Sequence, residues 1–323
     1  MATSNNSSSS SGSSGNGAKK PLGDIIYAGL TRGAAGAVIL LSIGIVLSLA
    51  GNSWPAIVKF GASFISSTTW NPVMSEFGAL SSIAGTLIST IIAMAIAVPL
   101  AVIIAFFLVE LAHPVISKPV GYAIELLAAV PSIIYGMWGL FVFAPFMADY
   151  IQPALQRWFG FLPFFEGPPM GIGMLSAGII LALMVLPFIT AVMRDVFQMV
   201  PSVVKEASYG MGSTTLEVAR EVTVKYGFSG LIGAVFLGLG RAVGETMAVT
   251  FVIGNSHDIS VSLYAAGNTI ASTLANEFTE AAEPMYISAL IELGLVLFLM
   301  TLVIQVLAQW WIARTQKKAG AGL

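Results

Sequence analysis

The sequence predicts an all-α membrane protein with six transmembrane helices. Of its 323 residues, 56% are hydrophobic and only 9% are charged, whereas about a quarter of the residues of an ordinary soluble domain carry a charge. A protein core cannot bury so many apolar side chains by itself, so a lipid bilayer has to cover the remainder. The formal net charge of −2 gives no basic field that would attract a polyanion, so no nucleic-acid partner is expected.

Six apolar segments are long enough to cross a membrane, because a hydrocarbon core about 30 Å thick needs roughly 20 residues of helix. The segments are 33–50, 80–109, 120–146, 171–193, 229–253 and 287–311. The second and third are longer than a straight crossing requires and contain Pro99 and Pro131. We therefore expect these two helices to tilt or kink.

The distribution of Lys and Arg predicts that both termini lie in the cytoplasm. Basic residues near the ends of spans are retained on the cytoplasmic side. With the N-terminus inside, all but three of the 14 basic residues fall on that side. Lys59 and Arg157 fall outside, and Arg241 falls within the fifth apolar segment.

The two ends of the chain differ in composition from the rest. Residues 1–22 are mostly Ser, Asn and Gly, a composition typical of disorder, so we expect a disordered tail there. Residues 23–318 are expected to form the six-helix domain, with 194–228 as its longest cytoplasmic connection. Residues 319–323 are expected to form a short cytoplasmic tail.

One charge lies deep in the fifth apolar segment. Arg241 is near the midpoint of 229–253, and Glu245 follows four residues later. A charge at the bilayer centre costs about 3 kcal/mol on insertion scales. On a continuous helix these two side chains share a face, so they could pair and lower that cost. Alternatively, Arg241 faces a translocation path and binds an anion with its permanently charged guanidinium group. A pair that opens to admit the anion would unite both interpretations.

The cytoplasmic connection 194–228 contains two helical patterns. Its second half has opposite charges three and four residues apart, preceded by hydroxyl side chains at 213–215 that could cap a helix. Its first half is a shorter helical segment that begins at Glu206 and ends at Gly210 and Gly212, where a positive φ costs little. The predicted arrangement is a helix, a glycine break and a second helix. On pattern alone, it is equally compatible with a solvated hairpin.

The first half of this connection resembles the coupling loop of ABC importer permeases. The motif of that family is Glu-Ala-Ala, three residues, then Gly. Here Glu206, Ala207 and Gly212 stand at the matching positions, with Ser208 as the third member. The proline that ends the family's motif is missing from this chain.

Two further segments are similar to the permease subunits of the phosphate-specific ABC importer. They are AIELLAAVPSIIYGMWGLFVFAP at 123–145 and GLGRAVGETMAVTFVIGN at 238–255. The resemblance covers nearly the whole chain after residue 22. It implies a type I, MetI-like permease of the bacterial inner membrane, within the family of binding-protein-dependent transport components, that translocates inorganic phosphate.

The resemblance also implies partners and site residues. A second homologous permease subunit, two ATPase subunits that bind ATP and Mg, and an extracytoplasmic phosphate-binding protein would complete the complex. Arg241 and Glu245 would contact phosphate. Glu206, with Ala207 and Gly212, would form the loop that docks on the ATPase.

The sequence lacks the motifs of several kinds of nucleotide-binding and catalytic site. The dipeptide Gly-Lys does not occur, so there is no P-loop, and there is neither a cysteine nor a Gly-x-Ser-x-Gly elbow. His113 and His257, the only histidines, fall on opposite sides of the membrane in the predicted topology, which argues against a shared metal site. We expect no cofactor in this chain and no enzymatic activity, with ATP hydrolysis left to the partner subunit.

Two alternatives to phosphate import by an ABC system remain open. A permease for sulfate, molybdate or another oxyanion would use the same machinery. A secondary anion transporter or channel would also use an arginine within a span but would have no need of the loop at Glu206. An intramembrane enzyme is the weakest hypothesis.

Overall fold

The structure, a computed structural model, describes residues 22–320. The predicted disordered tail therefore lies almost wholly outside the described residues. The described part of the chain divides into two units, with the boundary between Ser48 and Leu49. The first helix, α1 (Leu22–Phe60), begins in the first unit and ends in the second.

The second unit contains a short two-stranded antiparallel sheet and a series of helices. The strands are β1 (Trp70–Asn71) and β2 (Glu76–Phe77), in which Trp70 pairs with Phe77. The helices are α2 (Ser63–Ser66), α3 (Leu80–Phe106), α4 (Pro114–Ala128), α5 (Ser132–Trp138), α6 (Ala144–Phe146), α7 (Gln152–Phe159), α8 (Met174–Gln198), α9 (Ser202–Gly210), α10 (Thr215–Glu217), α11 (Val224–Val243), α12 (Met247–Thr250), α13 (Ile270–Glu277) and α14 (Pro284–Gly320).

Four wider π-helical turns are inserted between consecutive α-helices. Those at Gly139–Phe143 and Met147–Ile151 join α5, α6 and α7 into one span. The others, Phe107–Leu111 and Val218–Thr223, follow α3 and precede α11. A π-turn closes its hydrogen bonds five residues apart and is frequent at functional sites.

Among the described residues, six helices are long and apolar enough to cross a membrane, which confirms the predicted number. They are Ile26–Phe60, Leu80–Leu111, Ser132–Phe159, Met174–Gln198, Thr215–Val243 and Pro284–Arg314. The placement of the termini in the cytoplasm stays a prediction. The last helix runs on to Gly320, into the region where the sequence predicts a tail.

The third and fifth spans have boundaries different from those predicted. The segment 120–146 is not one helix, because α4 ends at Ala128 and a new helix begins at Ser132 after Pro131. Proline lacks an N–H and disfavours helix in the residue before it, so the chain breaks there. The fifth span begins earlier than predicted, at Thr215, and ends at Val243 instead of 253.

Helix α8 lies at the centre of the second unit. It packs against α3, α4 and α11, and its side chains form much of the main apolar core. The face of α3 in that core is a stripe of fully buried alanines, four residues apart: Ala93, Ala97, Ala101 and Ala105. Such small side chains let two helix backbones approach closely, so α3 and α8 form a tightly packed pair.

A network of polar side chains joins the segments at the predicted outer end of the spans. Glu277 of α13 accepts hydrogen bonds from Trp70 Nε1 at 2.6 Å, Tyr286 Oη at 2.7 Å and His257 Nε2 at 2.8 Å. Asn268 donates to the other imidazole nitrogen at 2.8 Å, and the His257 ring stacks on Trp70. Burial raises the pKa of the Glu277 carboxyl, but the three hydrogen bonds outweigh burial and hold the pKa below its ordinary value.

Candidate translocation site and coupling loop

Helix α11 ends two residues after Arg241, at Val243. The next residues do not continue the helix, because Gly244 has a low helix propensity and Glu245 bonds to the backbone beyond the break. Glu245 Oε1 accepts a hydrogen bond from the N–H of Ala248, at 3.2 Å. The carboxylate thus helps to start the short helix α12, in the manner of an N-terminal cap.

Arg241 and Glu245 are not paired. The ion pair expected on a continuous helix is absent from the part of the chain that the structure describes, because the break at Gly244 takes the two residues out of helical register. In place of a carboxylate, Arg241 has two other sources of stabilisation. It lies in the last turn of α11, where the helix dipole favours a cation, and its guanidinium carbon is 5.6 Å from the ring centroid of Phe188.

The contact with Phe188 places Arg241 beside the middle of α8. Phe188 lies near the middle of that helix, which is long and apolar enough to cross a membrane. The fifth span ends only two residues after Arg241, at Val243, so the position of Arg241 at mid-depth stays a prediction. Its side chain is exposed in the single chain, and among the described residues it makes no hydrogen bond or ion pair.

The break in the third span lies close to Arg241. Tyr135, in the first turn of α5, donates a hydrogen bond across the break to the carbonyl of Leu127, at 3.0 Å. One residue on, Gly136 packs against the backbone of Met247 in α12. Two interrupted helices thus meet near the same charge. Irregular backbone at membrane depth is tolerated where it is buried in protein or lines a water-filled cavity, and the first turn of a helix favours an anion.

The predicted glycine break in the connection 194–228 is present. Helix α9 ends at Gly210, and Gly212 has a φ of +90°, a conformation that glycine adopts without steric cost. Of the three candidate caps, Thr214 begins the next helix. Its hydroxyl accepts from the N–H of Glu217, and the Glu217 carboxylate accepts from the N–H of Thr214, which is a capping box.

The surface around the glycine break is apolar as well as charged. Glu206 and Ala207 are exposed. The same short stretch also exposes large apolar side chains: Met199, Val203, Tyr209 and Met211. An apolar patch of this kind on a loop outside the spans is typical of a protein interface.

Curated relatives match almost the entire chain, although no family model matches it. The phosphate transport system permease protein PstC of Mesorhizobium japonicum is 51% identical over 304 residues, which is 93% of either chain. That of Pasteurella multocida is 50% identical and covers 92% of this chain. A probable PstC of Methanocaldococcus jannaschii is 36% identical and covers 81% of this chain and 85% of its own length.

The chain belongs to the PstC family of phosphate transport system permeases.

Solved structures show the fold of this PstC family member. A chain of the bacterial alginate ABC transporter, in complex with its alginate-bound periplasmic protein, superposes with a TM-score of 0.61 at 14% identity, over 93% of this chain and 99% of that one. A chain of the inward-facing MetNI methionine transporter gives 0.54 at 18% identity, over 76% and 99%. The predicted MetI-like permease architecture is thus confirmed, and the chain is a multi-pass inner-membrane protein.

The contacts of one buried carboxylate of this chain were not predicted from the sequence. Glu110, at the end of the second span, bonds to Lys205 of α9 and Thr223 near the start of the fifth span. The only local signal is an acidic residue at the end of an apolar segment. Its partners lie 95 and 113 residues away, so pattern alone could not identify them.

Proposed function

We propose that this chain is the permease subunit of an ATP-driven importer of inorganic phosphate and that Arg241 binds the anion in transit. Membership of the PstC family supports the substrate class. The observation that carries the role of Arg241 is its unpaired guanidinium next to the helix break at Gly244, after which α12 packs against α5.

The surroundings of Arg241 favour an anion of phosphate's size and charge. A guanidinium offers paired N–H donors that match phosphate oxygens. Neither Phe188 nor the carbonyl groups that end α11 neutralise this charge, so it stays available for a ligand. Because Arg241 is exposed in the single chain, a second homologous permease subunit would enclose the path.

Glu245 belongs to the proposed site in a role that follows from its hydrogen bond. By accepting from the N–H of Ala248, it fixes the chain just after the break. Glu245 would therefore shape the translocation path and repel an anion that approaches Glu245 instead of Arg241. It would not neutralise Arg241 in the resting state.

The loop around Glu206 would dock on an ATPase subunit. Its exposed Met211 and Val203 offer apolar contact, and Glu206 offers a charge that can select a basic partner surface. Two ATPase subunits, which bind ATP and Mg, would drive alternating access, and an extracytoplasmic phosphate-binding protein would deliver the substrate.

The test of the substrate site is the substitution Arg241→Gln in the assembled transporter. Because hydrogen bonds to a charged group are worth about 1.5–3 kcal/mol, phosphate uptake should fall by at least about tenfold. The matched control is Arg157→Gln, which removes the same charge at an exposed position of α7 and should leave uptake unchanged. Normal uptake by the Arg241 variant would overturn the proposed contact.

Two further measurements separate the alternatives. Competition by sulfate or molybdate would indicate a different oxyanion, and uptake without ATP by the purified chain would indicate a secondary transporter. For the loop, Glu206→Lys should reduce co-purification of the ATPase. Unchanged co-purification would count against the docking role.

A further inference from the structure

A single carboxylate oxygen joins three segments at the predicted cytoplasmic end of the spans. Glu110 Oε1 accepts a hydrogen bond from Lys205 Nζ at 2.6 Å and another from Thr223 Oγ1 at 3.0 Å. The side chains of Glu110 and Lys205 are 8% and 18% exposed, and Thr223 is fully buried. Both contacts are thus shielded from water, unlike an exposed ion pair.

Each of the three residues belongs to a different segment of the chain. Glu110 lies in the π-turn that ends the second span, and Thr223 lies in the π-turn that precedes α11. Lys205 lies on α9, next to Glu206. The link therefore ties the docking loop to two spans that meet nowhere else through a charged contact among the described residues.

The second and fifth spans lead from this link to the proposed path. The alanine stripe of α3 packs it firmly against α8. Helix α11 runs from just beyond Thr223 to Arg241 without interruption, a distance of about 27 Å at 1.5 Å per residue. A displacement of Lys205 would thus pass through Glu110 to Thr223 and from there along α11 to Arg241.

Stability alone does not explain the link. Burying an ion pair costs desolvation, and apolar side chains of the same volume often stabilise a fold as well or better. A buried charge pair does, however, fix the register of its elements, because any movement that separates the partners leaves a charge unsatisfied.

We infer that Glu110 is a positioning residue that transmits the movement of the docking loop to the second and fifth spans. The inference rests on the proposed docking of that loop on an ATPase. It predicts that removal of the Glu110 charge uncouples ATP hydrolysis from transport without releasing the ATPase.

The test uses the complete transporter in lipid vesicles with its ATPase, second permease and binding protein. For Glu110→Gln, the ATPase should still co-purify and hydrolyse ATP. The amount of phosphate transported per ATP should fall by about fivefold or more, because about fivefold is the smallest effect typical of allosteric coupling between two sites. Thr223→Val, which removes only one donor, should reduce the same ratio less. A wild-type ratio in Glu110→Gln overturns the inference.

Two additional variants separate this role from a merely structural one. Glu221→Gln removes a carboxylate that pairs with Lys225 within one helix, where both side chains are more than half exposed. It joins no two segments and should keep the wild-type ratio. The exchanged pair Glu110→Lys with Lys205→Glu restores opposite charges, and Thr223 can accept as well as donate. We expect it to recover transport per ATP.

Failure of the inference and failure of the proposed docking give different results. Loss of ATPase co-purification from Glu206→Lys concerns docking, whereas the Glu110 variants concern the ratio measured in an assembled complex. If Glu110→Gln does not assemble, the exchanged pair decides. Assembly with a recovered ratio supports the inference, and an exchanged pair that stays uncoupled or unassembled overturns it.

Discussion

Replacement of Gly136 by alanine should force apart the two interrupted spans that meet near Arg241. An added Cβ would lie 2.7 Å from the carbonyl oxygen of Met247 and 2.7 Å from the ring of Phe251. The ring can rotate, but the carbonyl belongs to the backbone, so α5 and α12 have to separate. Overpacking of this kind costs about 1–3 kcal/mol, while alanine gains up to about 1 kcal/mol in helix propensity. The net loss of unfolding free energy is about 1 kcal/mol.

Thermal unfolding of the purified chain, paired with phosphate uptake by the assembled transporter, checks this expectation. A loss of about 1 kcal/mol lowers the melting temperature of a chain of this length by about 1.5 °C, and uptake should fall further because α12 directly follows the break after Arg241. The matched control is Gly233→Ala in α11, where no atom lies within 4 Å of the added Cβ. Its melting temperature should stay the same or rise. A Gly136 variant as stable and as active as the Gly233 variant would refute the reasoning.

Three other substitutions test local features. Gly212→Ala forces a side chain into a φ of +90°, which costs about 1–2 kcal/mol and should weaken ATPase co-purification, whereas Gly210→Ala inside α9, with nothing within 4 Å, should not. Thr214→Ala removes one half of the capping box and should lower the local stability of the helix that starts there by about 1 kcal/mol. The backbone amides of that helix should therefore exchange their hydrogens with solvent faster. Because the folded-state pKa of Glu277 lies below its ordinary value of 4.5, its stabilisation is complete above that pH and is lost as the pH falls through the folded-state pKa. Acid titration by tryptophan fluorescence should show this step, and Glu277→Gln should abolish it.

The features that could be predicted from the sequence depend on short-range rules. The six spans follow from the length of apolar runs, which the bilayer thickness dictates. The loop geometry follows from glycine at 212 and the Thr214 to Glu217 spacing, because both a positive φ and a capping box are decided within four residues.

The features that could not be predicted depend on contacts between distant segments of the chain or on competition between local structural preferences. The run 229–253 is apolar apart from Arg241 and Glu245, so hydropathy hides the break at Gly244, where Glu245 bonds to the backbone instead of to Arg241. The partners of Glu110 come together only through the packing of three separate segments. No pattern within one segment identifies such a contact.

The π-turns that contain Glu110 and Thr223 also have a consequence for helical phase. One extra residue in a turn rotates everything beyond it by about 100° relative to an uninterrupted α-helix. At Phe107–Leu111 and Val218–Thr223, this rotation sets the direction of the polar side chains at the helix ends independently of the apolar faces within the membrane. Deletion of a single residue from either turn would restore a regular α-helix and rotate its polar side chain away from its present partners, although every remaining side chain kept its chemistry.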